Sequence, residues 1–113
     1  MAATYALAGL WSLRTHRAFR LEAALLVFWL VVALVTQDPG LLPIISLCGV
    51  LLAVEALNTA IEILCDHVTP EYHLQIKMIK DIAASASLIV LLVVVVNIGF
   101  WLANRWQGWF FVS

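Results

Sequence analysis

Three long apolar stretches, residues 23–37, 40–65 and 82–104, dominate the chain, and its polar residues gather in the short connections between them. None of the three alternates with the period of two that a half-buried strand requires. A bilayer core takes about 20 helical residues, and a single segment in lipid satisfies its own backbone only as a helix. The pattern therefore predicts an all-α integral membrane protein. The first stretch is short for a span, so its helix is expected to begin upstream near Phe19, with Arg20 snorkelling toward headgroups. The expected spans are 19–37, 41–66 and 78–104. Asp38-Pro39-Gly40 is turn chemistry between the first two, and Thr69-Pro70 breaks the chain after the second. Residues 2–18 read as a helix lying on the membrane surface, with Tyr5, Leu7, Leu10, Trp11 and Leu13 as its imperfect apolar side. Residues 1–113 then form one domain.

Composition agrees with the pattern. Of 113 residues, 65% are hydrophobic and 12% charged, and mean hydropathy is +1.05. Soluble domains run nearer about 45–50% apolar and about 25% charged, and a chain this short cannot hide such an excess in a water-soluble core. A net charge of −1 with no basic stripe excludes nucleic acid as a partner. Cys48 and Cys65 lie in apolar runs without metal-type spacing and read as small hydrophobes. The first arginines follow the opening apolar segment, the wrong order for a signal peptide. Arg14, Arg17 and Arg20 precede the first span, and Lys77 and Lys80 precede the third. By the positive-inside rule the N-terminus and second connection are expected in the cytoplasm, with the Asp38 turn and C-terminus outside. Trp101, Trp106, Trp109, Phe110 and Phe111 are then expected as an aromatic belt at the outer interface.

The second span carries residues that lipid does not tolerate alone: Glu55, Asn58, Glu62 and Asp66. At about 100° per residue, Glu55 and Glu62 come within about 20° of each other, Asp66 within about 40°, and Asn58 stands one ridge over. An ionisable group at this depth costs about 2.5–3.5 kcal/mol. A stripe of three carboxylates and an amide with no basic residue in the same span suggests oxygen ligands for magnesium or calcium. The same residues could instead join helices or sit in headgroup water. Lys80, facing the stripe, could contact a phosphate as a point charge or anchor a helix.

The run Glu55-Ala-Leu-Asn58-Thr-Ala-Ile-Glu62-Ile-Leu-Cys-Asp66 resembles the E-x-x-N-[ST]-A-I-E-x-x-x-D signature of the prokaryotic diacylglycerol kinase family, small membrane lipid kinases that include undecaprenol kinase. Glu71-Tyr72-His73 with Lys80-Asp81 is similar to the family's E-Y-H…K-D segment, and Ala18-Phe19-Arg20-Leu21-Glu22 to its A-F-R-Q-E entry to the first span. The resemblance covers nearly the whole chain. It implies a homotrimeric bundle, each subunit with an amphipathic surface helix and three transmembrane helices, in the bacterial inner membrane. It implies sites at subunit boundaries near the cytoplasmic face, where the γ-phosphoryl of Mg2+-ATP passes to a membrane lipid hydroxyl. Carried over by position, Glu55 would be the general base. Asn58 would help hold nucleotide and metal, Glu62 would bind magnesium, and Lys80 would meet the phosphates with Asp81 beside it. Asp66, Glu71 and His73 would lie at the nucleotide end. Arg20 and Glu22 would serve the lipid substrate or the structure. No P-loop or kinase glycine loop is present, as the family implies.

The chain departs from the family at His16, where a metal-binding glutamate is usual. A neutral imidazole supplies no negative charge and suits magnesium poorly. Leu21 stands where many members have glutamine. The expected activity is phosphorylation of diacylglycerol to phosphatidic acid. The alternatives are an undecaprenol kinase, or a catalytically weakened homologue that binds or scaffolds.

Overall fold

The structure, a computed structural model, describes residues 2–68 and 73–112, with side chains as far as Gln107. Among the described residues there are four α-helices: α1 (Ala2–Leu13), α2 (Arg17–Thr36), α3 (Leu42–Val68) and α4 (Leu74–Val112). A single 3-10 turn, Pro39–Leu41, sits between α2 and α3. The last three helices are each long and apolar enough to cross a membrane. The chain is a multi-pass membrane protein.

The surface helix expected over 2–18 stops at Leu13. Its last carbonyls are closed by side chains: Arg14 donates to the Trp11 carbonyl at 3.1 Å and Thr15 to that of Ser12 at 3.2 Å. His16 then adopts an extended backbone (φ −90°, ψ 123°) and becomes the N-cap of α2. Arg20, expected to snorkel, reaches back at 3.4 Å to the carbonyls of Arg14 and Thr15. It ties the corner between α1 and α2. Every α1 residue from Ala2 to Ser12 is exposed.

The turn expected at Asp38-Pro39-Gly40 is present. Gln37 ends α2 in the left-handed region (φ 55°), and the Asp38 carboxylate caps the 3-10 turn by accepting the Gly40 N–H at 2.9 Å. Pro43 falls in the first turn of α3, where its missing N–H has no intrahelical acceptor to lose. α4 begins earlier and ends later than the expected 78–104. Its 39 residues make a helix about 58 Å long, well beyond the hydrocarbon core of about 30 Å. The extra N-terminal turn brings in Lys77, which pairs with Asp81 at 2.6 Å, a spacing that supports a helix.

α3 is the central element, with α2 and α4 packed against it. One stripe along α3 at helical spacing is buried: Leu41 just before it, then Ile44, Cys48, Leu51, Glu55, Asn58, Thr59 and Cys65. The answering stripe of α4 steps by seven residues. Lys80 meets Asp66, Ser87 meets Glu55, Val94 joins the Ile44 and Cys48 cluster, and Trp101 meets Asp38. This antiparallel register makes two ends, the Asp38 end and the Lys80 end. The apolar core of Trp29, Leu41, Ile44, Cys48 and Val94 lies toward the first. Both cysteines are free and buried. Elsewhere the apolar side chains point outward: Leu88, Ile89, Leu92, Val95, Val96 and Phe100 of α4 are all exposed, as lipid-facing or partner-facing helices require.

Candidate functional site

The buried stripe of α3 turns polar at Glu55. The carboxylate, in a residue only 7% exposed, accepts the Ser87 hydroxyl of α4 at 3.0 Å through Oε2. Glu22 of α2 lies near enough to feel the charge of Glu55. Glu22 Oε2 and Asn58 Oδ1 are buried without a hydrogen-bond partner. Two of these oxygen-bearing side chains, one on α2 and one on α3, therefore retain acceptor capacity that the chain leaves unused. Such orphans are rare in folded proteins because each carries a desolvation cost of about 1–3 kcal/mol.

One turn further the acidic residues turn outward, although Cys65 remains buried. Glu62 falls on the same ridge yet is exposed. The reason is length. α2 has 20 residues and α3 has 27, and a short turn joins them at the Asp38 end, so α3 overhangs the start of α2 by about two turns. Glu62 and Asp66 occupy that overhang. Lys80 reaches from α4 to Asp66 at 2.5 Å, and Glu62 lies within range of the same ammonium. Asp81, expected beside Lys80, turns to Lys77 instead.

His73 acts at the start of α4. Its carbonyl accepts the Lys77 N–H at 2.9 Å and its Nδ1 accepts the Gln75 N–H at 3.2 Å, so it caps the helix. Glu71, with Tyr72 and the Thr69-Pro70 break, lies outside the described residues. His16 is half-buried at the N-cap of α2 and makes no side-chain capping bond. Among the described residues no three His, Cys, Asp or Glu side chains converge on a metal-sized centre. Magnesium does not ask for one, since it is commonly held by one or two carboxylates and substrate phosphates. The exposed Glu62 carboxylate and the unpartnered Asn58 oxygen are hard donors of the kind it takes.

Two groups escaped the sequence reading. Ser87 is one of a run of small residues, Ala83 to Ser87, with nothing local to single it out. Its place on the seven-residue stripe of Lys80, Ser87, Val94 and Trp101 was the available signal. At the other end Asp38 proves to be a hub. It accepts the Trp101 indole N–H and the Arg105 guanidinium, each at 2.9 Å, besides the Gly40 amide. Trp101 packs edge-on against Trp29 at 5.7 Å, and Arg105 lies 5.2 Å over its ring. Trp101 is thus a helix clasp as well as a residue of the expected aromatic belt. Trp106 is exposed, and the side chains of Trp109, Phe110 and Phe111 lie outside the described residues.

An apolar three-span bundle with a carboxylate and amide seam inside it, and a lysine at the seam's mouth, defines a multi-pass membrane protein with a polar centre. Residues 4–105 match the family described as prokaryotic diacylglycerol kinase, and the chain belongs to that family. The family is one of lipid kinases, phosphotransferases for which ATP is the co-substrate. Comparison with individually curated proteins returns no match.

Proposed function

We propose that this protein phosphorylates diacylglycerol to phosphatidic acid at the cytoplasmic face of the bacterial inner membrane. The observation that carries the proposal is Glu55, a buried carboxylate at the polar level of an otherwise apolar bundle, in a chain of this family. The Ala18–Glu22 and Glu71–His73 segments favour diacylglycerol over undecaprenol, because they look more like the diacylglycerol branch of the family. In the reaction the lipid hydroxyl gives its proton to the Glu55 carboxylate. Its oxygen bonds to the γ-phosphorus as the bond to the β,γ-bridging oxygen breaks, and ADP leaves. Phosphoryl transfer of this kind asks a protein mainly for positioning and for neutralisation of the charge on the phosphates. Lys80 supplies a cation at the mouth of the seam, and swapping its Asp66 partner for a phosphate costs little because that pair is exposed. Asn58 orients the nucleotide. Glu62 and Asn58 would hold magnesium, which when bound neutralises phosphate charge. Asp66, Asp81, Glu71 and His73 border the nucleotide end, and Arg20 and Glu22 the lipid entry.

The chain works as a homotrimer with α1 on the membrane surface and the N-terminus in the cytoplasm. One subunit leaves Glu62 open on the α3 overhang, and the exposed small residues Ala84 and Ala86 of α4 suit close helix contact. The test is transfer of labelled phosphate from ATP to diacylglycerol and, separately, to undecaprenol, in detergent with magnesium. Labelled phosphatidic acid is the expected product; labelling of undecaprenol alone moves the protein to the other branch. A second reading, a weakened homologue with a binding role, rests on His16 in place of a metal-binding carboxylate. It predicts transfer to neither lipid.

A further inference from the structure

We infer that Ser87 is a positioning residue for Glu55; the inference rests on the reading of Glu55 as the general base. A serine inside a helix ordinarily returns its hydroxyl to a carbonyl three or four residues back. Ser85 does so, donating to Ile82 at 2.6 Å, and Ser12 does so to Ala8 at 3.1 Å. Ser87 does not. Its hydroxyl crosses to α3 and donates to Glu55 Oε2 at 3.0 Å. The neighbours on its stripe, Ala83 and Val94, are buried, so α4 is seated firmly where Ser87 reaches over. No other donor to Glu55 occurs among the described residues.

That single bond has a chemical consequence. Glu55 has three side-chain torsions and no cation of its own. With Oε2 fixed by Ser87, Oε1 is the oxygen left to take the proton of the lipid hydroxyl, and its direction is set by the position of α4. Glu22 of α2 makes no hydrogen bond to Glu55, and its own Oε2 is unpartnered. Ser87 is therefore the element that keeps the two acidic groups apart in role. It turns one of them toward substrate by binding it from behind.

Ser87→Ala should lower kcat about tenfold, the effect of one lost hydrogen bond to a charged group. KM for ATP and for lipid, and the melting temperature in detergent, should stay near parental values. Ser87→Thr keeps a hydroxyl and should restore kcat to within about threefold of the parent on the same scale. Glu55→Gln, measured in parallel, separates the two claims. If it remains active, the base reading fails and the role of Ser87 fails with it. If it is inactive while Ser87→Ala has parental kcat, the base stands and the positioning role is overturned. The double variant decides the route: no loss beyond Glu55→Gln supports action through Glu55, and a further independent loss overturns it.

Discussion

The two ends of the bundle hold their carboxylates in opposite ways. At the Asp38 end one carboxylate receives three donors: the Gly40 amide, the Trp101 indole and the Arg105 guanidinium. The fit is close enough that a Cβ on Gly40 would stand 3.1 Å from Asp38 Oδ1 and 3.3 Å from Trp101 Cδ1. Toward the Lys80 end, Glu55 has one donor, while Glu22 Oε2 and Asn58 Oδ1 have none. A fully satisfied buried polar group locks a fold, and an unsatisfied one is costly unless something else completes it. The clasp at Asp38 is structure. The seam at Glu55 leaves acceptors open, and in the proposed function substrate and metal complete them.

Substitutions can break this contrast at either end. The largest effect on turnover is expected from Glu55→Gln. It preserves shape and removes the base, so transfer should fall about 10²–10⁴-fold with little change in melting temperature. Activity within about threefold of the parent, a difference too small for a lost base, would remove Glu55 from the role. Lys80→Ala comes next. It should raise the ATP concentration needed for half-maximal rate and leave stability nearly unchanged, since the Asp66 pair is exposed; a defect seen only toward the lipid would contradict the phosphate role. Glu62→Ala should reduce the rate and raise the magnesium requirement, read from a magnesium titration. An unchanged requirement means that Glu62 is not a ligand.

A smaller gain is expected from His16→Glu, which adds a negative charge where the family usually has one. Activity should rise most clearly at low magnesium. No change in rate or magnesium dependence would leave His16 as the cap of α2 and nothing more. Asp38→Asn should alter turnover least and act on stability instead. The Gly40 amide, then the Trp101 indole and the Arg105 charge, hold the Asp38 carboxyl below the usual carboxylate range. A carboxylate lowered in the folded state stabilises above its unfolded value of about 3.9. That contribution is lost as pH falls through the lower folded value. The parent should thus lose stability on acidification below about pH 4 more steeply than Asp38→Asn, while at neutral pH the variant melts earlier. Identical melting curves across that range would mean the clasp contributes nothing.

By itself the sequence determined the number and kind of the spanning helices, because lipid leaves a backbone no alternative to internal hydrogen bonding. It also determined the Asp38-Pro39-Gly40 turn and the family, since turn chemistry and the Glu55–Asp66 motif are local. The limits of α1 and α4 were less legible. They depend on side chains closing helix ends, such as Arg14, Thr15, Arg20 and His73, and each of these could have served elsewhere. Only the tertiary structure decided which polar groups meet. Helical spacing put Glu55, Asn58 and Glu62 on one stripe, but the shorter α2 buries the first two and leaves the third open. Nothing local told Ser87 from Ser85, or joined Asp38 to Trp101 across 63 residues. Those partnerships follow from the antiparallel register of α3 and α4, which is set by packing along the whole length of two helices.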